Sequence, residues 1–115
     1  MPKIIEVWRL AVRLEDGTEI VLPRYDYAFD FSGNFAVVGQ NKLEGAINEY
    51  GEEIIPVKYL ELASTLRKYC RIEKFIPDKD IAIFLENNFY EAINLISKEK
   101  TILCGKDEEL PKDFG

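Results

Sequence analysis

Two pairs of similar segments recur along the chain at different spacings. GTEIVLPRY at 17–25 resembles GEEIIPVKY at 51–59, an offset of 34 residues, and AVVGQNKLEGAIN at 36–48 aligns without a gap with AIFLENNFYEAIN at 82–94, an offset of 46. Each copy of such a repeat is one supersecondary unit, and stacked copies share a core. At 115 residues, the chain is long enough for one domain built from a few such units.

The two offsets differ by 12 residues, which predicts an insertion between Tyr59 and Ala82. The segment 60–70 is the natural candidate, because its apolar residues follow the i, i+4, i+7, i+8 spacing of one helical stripe. These residues are Leu62, Leu66, Tyr69 and Cys70. We therefore predict a short α-helix near 61–71.

The repeating unit has the pattern of short strands joined by tight turns. Residues 25–31 alternate aromatic with small or acidic side chains, and apolar segments at 35–40, 43–50 and 81–85 are further predicted strands. Asp16-Gly17 predicts the turn of a hairpin between 4–14 and 19–23. Pro23 and Pro56 belong at strand ends or edges, because proline has no backbone donor. The segment 86–97 fits either a strand or a helix, since Phe89, Ala92, Ile93 and Ile96 also have helical spacing.

The predicted fold class is therefore mainly β, with about three antiparallel meander or hairpin units and one inserted short helix. We expect residues 1–108 to form a single β-rich repeat domain and residues 109–115 to form a frayed acidic tail.

The segment 25–59 resembles a diverged WG repeat, also called KWG. That pattern has an apolar strand, a Lys-Trp-Gly turn, an Ile-Asp pair, a glycine and then Val-Ile-Pro-x-x-Tyr-Asp. The matching residues are Gly45, Ile47, Gly51, Ile55, Pro56 and Tyr59. Asn48 stands at the Asp position, and Glu44 stands at the position of the name-giving tryptophan. The resemblance implies a β-repeat fold that serves as a binding or structural module.

Composition excludes several kinds of site. Twenty-one acidic residues against 15 basic ones give a net charge of −6, which disfavours DNA as a partner. Histidine is absent, so the chain cannot form a Ser-His or Cys-His pair. Cys70 and Cys104 are the only cysteines and are too few for a zinc site, although they could still bridge if they met. We expect no catalytic residue, no metal site and no cofactor.

The N-terminal sequence has neither the apolar run of an export signal nor that of a membrane span. Together with the low cysteine content, this predicts a cytoplasmic protein that has no contact with a membrane.

Acidic residues concentrate at the predicted hairpin turns of two equivalent repeat positions. With one neighbouring tyrosine, we call these residues the acidic turn surface: Asp16, Glu49, Tyr50, Glu52 and Glu53. If consecutive units stack, these turns form one negative rim that attracts a basic partner. The alternative interpretation is that they are polar because turns face water.

Two other groups of residues could carry a function. Arg67, Lys68, Arg71 and Lys74 lie on or just after the predicted helix and form a candidate site for phosphate or an acidic partner. The aromatic row Tyr25, Tyr27, Phe29 and Phe31 could stack on bases or sugars, but Asp26 and Asp30 beside it favour a role in the core.

These observations favour a non-catalytic protein-binding module. A small acidic domain without histidine fits a bacterial immunity protein that neutralises a basic toxin, such as a nuclease, by stoichiometric binding. A structural WG-repeat scaffold is the alternative, and an RNA-associated module using the basic residues is a further one. The sequence identifies neither the partner nor the oligomeric state.

Overall fold

The computed structural model describes residues 3–8, 11–21, 25–112 and 114. In these residues the protein is mainly β and contains three antiparallel sheets, which confirms the predicted fold class of three meander units. Unit 1 is β1 (Ile4–Trp8), β2 (Ala11–Leu14) and β3 (Glu19–Val21). Unit 2 is β4 (Tyr27–Ala28), β5 (Phe35–Gln40), β6 (Leu43–Asn48) and β7 (Glu53–Tyr59). Unit 3 is β8 (Ile72–Ile76), β9 (Ile81–Glu86), β10 (Phe89–Asn94) and β11 (Lys100–Gly105).

The 46-residue repeat reappears in two matching hairpin turns. Asn41 and Lys42 have φ of 52° and 68°, and Asn87 and Asn88 have φ of 50° and 68°. Two successive residues with positive φ form the turn that fits the right-handed twist of a two-residue hairpin. The second turn leads directly into β10. Residues 89–94 are therefore a strand, and the third repeat is real.

The 34-residue repeat reappears in the turns that follow β2 and β6. Leu14 N donates to Thr18 O at 2.8 Å, and Gly17 N donates to Leu14 O at 3.0 Å. The same two hydrogen bonds occur 34 residues later, from Asn48 N to Glu52 O at 2.9 Å and from Gly51 N to Asn48 O at 3.0 Å. The predicted turn at Asp16-Gly17 is confirmed.

Unit 1 differs from the prediction in its first arm. The segment 4–14 is not one strand, because β1 pairs antiparallel with β2 and Trp8 faces Ala11. The connecting residues 9–10 lie outside the described part of the chain, as does Pro23. Pro56 lies in β7, an edge strand of the second sheet, where the register with β6 shifts.

The middle sheet is buried on both faces. Along β5, Phe35 and Val37 pack into the cluster shared with unit 3, which includes Phe84. Ala36 and Val38 point the other way, into the cluster shared with Val12 of unit 1. Successive side chains of a strand face opposite sides of its sheet, so one strand contributes to two cores. Unit 2 thus connects the other two units.

The predicted helix is much shorter than 61–71. Helix α1 covers Leu62–Thr65 only. After Leu66 the backbone forms hydrogen bonds to unit 2 instead of continuing the helix. Ser32 Oγ donates to Tyr69 O at 2.7 Å, and Asn34 N donates to Cys70 O at 3.1 Å. The apolar stripe still packs in the core, because Leu62, Leu66 and Tyr69 are buried, whereas Cys70 is exposed.

Cys70 and Cys104 are free thiols, so they do not form the disulfide that the sequence left open. In the C-terminal segment, Cys104 Sγ contacts Glu109 O at 3.5 Å, and the Lys79 ammonium lies 5.5 Å from the centre of the Phe114 ring. The domain boundary at 108 stays a prediction. A short 3-10 helix, Pro77–Lys79, connects β8 to β9. Neither it nor α1, the two helices of the described ranges, has the length and apolar character needed to cross a membrane.

Candidate partner-binding surface

The acidic turns of units 1 and 2 lie on either side of the first residues of β1. Glu15 N donates to Lys3 O at 2.7 Å, and Ile4 N donates to Glu49 O at 2.6 Å. The segment Lys3–Ile4 therefore joins the turn that contains Asp16 to the turn that contains Glu49. The structure brings together two turns that are 34 residues apart in the sequence.

The carboxylates of these turns are held mostly by uncharged donors. Thr18 N donates to Asp16 Oδ1 at 2.9 Å, and hydrogen bonding with Thr18 lowers the pKa of Asp16. Asn48 Nδ2 donates to Glu52 Oε1 at 2.9 Å. The hydroxyl of Tyr25 donates to Glu53 Oε1 at 3.1 Å. These contacts orient the three carboxylates, and the backbone and amide donors leave the negative charges of Asp16 and Glu52 in place.

Glu49 has a cation nearby. Its Oε2 lies 3.6 Å from the Lys3 ammonium, and both side chains remain partly exposed. An exposed pair of this kind contributes little to stability, because water screens both charges. Lys3 therefore reduces the negative potential of the acidic turn surface locally.

Unit 3 does not extend the acidic surface. Its equivalent turn follows Asn94, whose Oδ1 accepts from Ile96 N at 2.9 Å and Ser97 N at 3.0 Å. Asn48 Oδ1 makes the corresponding first bond, to Tyr50 N at 3.0 Å, but its second bond is to Glu52 N, also at 3.0 Å. The turn of unit 3 is one residue longer, because Asn94 N donates to Glu99 O whereas Asn48 N donates to Glu52 O. The residues after Asn94 are Leu-Ile-Ser-Lys instead of Glu-Tyr-Gly-Glu.

Tyr50 opens onto a groove between units 2 and 3. The groove has a volume of about 400 Å³, and its walls are formed by the turn 48–50 and Ile54 on one side and by β8 on the other. Tyr50 is 37% exposed. Glu49, Glu73 and Lys74 also line this groove. The acidic turn surface thus continues into a partly apolar cleft.

The structure disperses the predicted basic residues, so they do not share a helix face. Arg67 and Lys68 follow α1, Arg71 precedes β8, and Lys74 lies within β8. Arg71 Nε pairs with Glu73 Oε1 at 2.6 Å, and Lys68 Nζ lies 4.0 Å from Glu91 Oε1. The prediction that Arg67, Arg71 and Lys74 lie along one helical face is wrong, because the helix ends before any of them.

The aromatic row is only partly in the core. Tyr25 is buried, whereas Phe29 is 47% exposed and lines a second groove of about 340 Å³ together with Arg67. Strand β4 contains only Tyr27 and Ala28, so the predicted alternation over 25–31 is not maintained. Asp26 has a turn role, because its Oδ2 accepts from Asn41 N at 2.8 Å.

Tyrosine hydroxyls and carboxylates form a series of pairs that no sequence pattern predicted. Besides the bond from Tyr25 to Glu53, hydroxyl donors and carboxylate acceptors meet at 2.6 Å in three pairs: Tyr27–Glu44, Tyr59–Asp80 and Tyr69–Glu91. The hydrogen bond to Glu44 raises the pKa of Tyr27 to about 12. Burial is the main cause of the raised pKa of Tyr59 and of Tyr69. All three hydroxyls are therefore protonated donors at neutral pH.

The fold and these contacts define a β-rich repeat protein of three stacked antiparallel units with a surface of acidic turns. Residues 15–43 match the family model described as WG containing repeat, which confirms the resemblance to diverged WG repeats for this segment. The matched segment begins in the turn after β2 and includes β3, β4 and β5. It overlaps the first part of 25–59, where the sequence resemblance is best. No curated protein and no solved structure matches the chain.

Proposed function

We propose that this protein is a non-catalytic binding module whose acidic turn surface binds a basic protein stoichiometrically, as the immunity partner of a toxin does. The observation that carries this proposal is the junction at Lys3–Ile4, which holds the acidic turns of two units side by side. One turn carries Asp16 and the other Glu49, Glu52 and Glu53, and their junction makes the charged area larger than that of either turn alone.

The electrostatics of this area favour a cationic partner. Asp16 and Glu52 are exposed, accept hydrogen bonds from backbone or amide donors, and form no ion pair within the described part of the chain. Clustered charges of one sign accelerate encounter with a surface of opposite sign. A nuclease toxin has such a surface where it binds phosphates, and an acidic protein can compete for it.

Tyr50 gives the same area an apolar anchor. It is partly exposed beside a groove that also contains Ile54 and Phe75. Tyrosine is enriched among the residues that dominate protein interfaces, because its ring excludes water while its hydroxyl can form a hydrogen bond. Charge would therefore steer association, and the contact around Tyr50 would slow dissociation.

The test compares two charge reversals of equal size. The binding variant is Glu49→Lys with Glu52→Lys, and the control is Glu99→Lys with Asp107→Lys, two exposed sites in or after unit 3. Each tagged protein is used to capture partners from nuclease-treated lysate of its native cell. Association rates with the purified partner are then measured at several salt concentrations.

We expect the wild type and the control to capture one basic protein at a 1:1 ratio, and the binding variant to associate more slowly with a weaker salt dependence. Thermal unfolding verifies that each variant is folded. Capture that is unaffected by reversal at Glu49 and Glu52 but lost with Arg67→Glu and Arg71→Glu would overturn the proposal, and so would catalytic turnover by the purified chain.

A further inference from the structure

Strand β8 has one unpaired side, and this side faces the groove beside Tyr50. In the third sheet the strand order is β11-β10-β9-β8, so β8 is an edge. The groove is lined by Ile72 through Phe75 along this edge. An edge strand presents backbone donors and acceptors that another extended chain can pair with.

The register shows which peptide groups of β8 point into the groove. The two-residue turn at Asn87–Asn88 makes Glu86 and Phe89 a hydrogen-bonded pair between β9 and β10. Every second residue of β9 counted from Glu86 therefore directs its peptide groups towards β10, and the residues between them, which begin with Leu85, direct theirs towards β8. The bond from Leu85 N to Arg71 O, at 3.0 Å, agrees with this alternation. Ile83 and Ile81 then pair with Lys74 and Ile76, and Phe75 between them directs its N–H and C=O away from β9.

Asn34 already occupies one end of this edge in the way a neighbouring strand would. Its Oδ1 accepts from Ile72 N, and its Nδ2 donates to Ile72 O, both at 3.0 Å. The next outward-facing peptide group, that of Phe75, opens into the cleft. In the described parts of the chain, no other element forms a hydrogen bond with it.

We infer that an extended, basic segment of the binding partner pairs with the free edge of β8 and lies in the groove between β8 and the turn 48–50. This inference rests on the proposed function and names the form in which the partner binds. The groove volume of about 400 Å³ lies within the range of ligand sites. Backbone pairing provides affinity, and alternate side chains select the sequence.

The walls of the groove define the chemistry of that segment. One face of the bound strand meets the apolar side chains of Tyr50 and Ile54. Glu49, Glu73 and Lys74 line the groove, and two of these already have partners, Lys3 at 3.6 Å from Glu49 and Arg71 at 2.6 Å from Glu73. The exposed carboxylate of Glu52 accepts from the amide of Asn48 in the groove wall and keeps its charge for a cation of the bound segment. Alternating apolar and basic residues match this arrangement, because every second side chain of a strand points to the same face.

The experiment uses a capped hexapeptide that alternates valine and lysine, and two N-methylated forms of it. One form carries methyl groups on the valine amides and the other on the lysine amides, so each blocks one edge of the extended peptide. Affinity for the full chain is measured at low salt by calorimetry. Amide chemical shifts of Phe75 report where the peptide binds.

We expect the unmodified peptide to bind, one methylated form to lose about tenfold or more in affinity, and the other to retain it, because only one edge pairs with β8. Tyr50→Ala should weaken all three peptides without unfolding the protein. Absence of peptide binding, equal behaviour of both methylated forms, or dimerisation of the chain through β8 in place of peptide binding would overturn the inference.

Failure of this inference is distinguishable from failure of the proposed function. Partner capture that depends on Glu49 and Glu52, combined with peptides whose methylation has no effect, overturns edge pairing and keeps the charged binding surface. Capture that is indifferent to Glu49 and Glu52 overturns the proposed function itself.

Discussion

The carboxylate of Glu44 joins Tyr27 to the helix α1. Glu44 Oε2 accepts from the Tyr27 hydroxyl at 2.6 Å, and Oε1 accepts from Ala63 N at 2.8 Å. Glu44 is only 8% exposed and stands where the WG pattern has tryptophan. A buried carboxylate needs hydrogen-bond donors, and one of these is an N–H of the first helical turn that has no partner within the helix. The departure from the family pattern is therefore compensated locally.

Tyr27→Phe should destabilise the protein by about 1.5–3 kcal/mol, because it removes one of the two donors to a buried charge. Urea unfolding at neutral pH measures the loss. Tyr50→Phe is the matched control, and its more exposed ring should leave the free energy of unfolding within about 0.5 kcal/mol of the wild type. Equal effects of the two changes would show that the hydrogen bond from Tyr27 to Glu44 does not contribute more to the free energy of unfolding than an exposed hydroxyl does.

Stability should also fall at alkaline pH as Tyr27 titrates. Its pKa is raised from 10.0 to about 12 in the folded protein, so the unfolded chain loses this proton first. The contribution of Tyr27 is complete below pH 10 and is lost as the pH rises to about 12. Unfolding curves over this range should be steeper in pH for the wild type than for Tyr27→Phe, and parallel curves would contradict the assignment.

At acid pH, the pair Tyr59–Asp80 should determine part of the stability. The hydrogen bond from Tyr59 lowers the pKa of Asp80 below 3.8, with a further effect of the Lys58 ammonium. The stabilisation is therefore complete above pH 3.8 and is lost as the pH falls through the lower folded pKa. Asp80→Asn cannot titrate, so its unfolding free energy should depend less on pH in this range. An unchanged acid dependence would exclude this pair as its source.

The two equivalent turn asparagines should respond differently to aspartate, the residue of the WG pattern. Asn94 accepts two backbone N–H bonds, and a carboxylate accepts such bonds more strongly, so Asn94→Asp should stabilise by about 0.5–1 kcal/mol. Asn48 also accepts two backbone N–H bonds, but Asn48→Asp should destabilise, because it replaces the donor to Glu52 by a second negative charge next to that carboxylate. Chemical unfolding of both variants tests the contrast, and a shift of the same sign in both would refute it.

Gly33 should tolerate no side chain. A Cβ there would lie 1.6 Å from Cys70 O, and its φ of 66° is unfavourable for other residues. Gly17 also has a positive φ, 90°, but a Cβ would meet nothing within 4 Å. Gly17→Ala should therefore cost about 1–2 kcal/mol from backbone strain alone, and Gly33→Ala clearly more. Similar melting temperatures for the two variants would contradict the close approach of residues 33 and 70.

The parts of the fold that the sequence predicts are those determined by neighbouring residues. The strands predicted at 35–40 and 81–85 follow from short apolar runs, and the turn at Asp16-Gly17 follows from turn chemistry. The end of α1 could not be predicted, because it depends on hydrogen bonds from Ser32 and Asn34, more than 30 residues away in the sequence. The reversal between Trp8 and Ala11 has no glycine or proline to indicate it.

For the candidate site, too, the sequence predicts the local features and misses the tertiary contacts. Acidic residues at equivalent turns are visible in the repeat, but their junction through Lys3 and Ile4 is a tertiary contact. The groove requires β8 to lie opposite the turn 48–50, which no local pattern encodes. The position of Glu44 in the WG pattern was a usable signal, since a charged residue at an aromatic position indicates buried partners.

The double burial of the middle sheet affects how such a chain can change in length. A sheet with apolar side chains on both faces can pack between two other sheets of the same kind. A tandem duplication of residues 27–71 would therefore insert one more complete unit together with its linker. In evolutionary terms, unit 2 is the element from which longer proteins of this plan can grow.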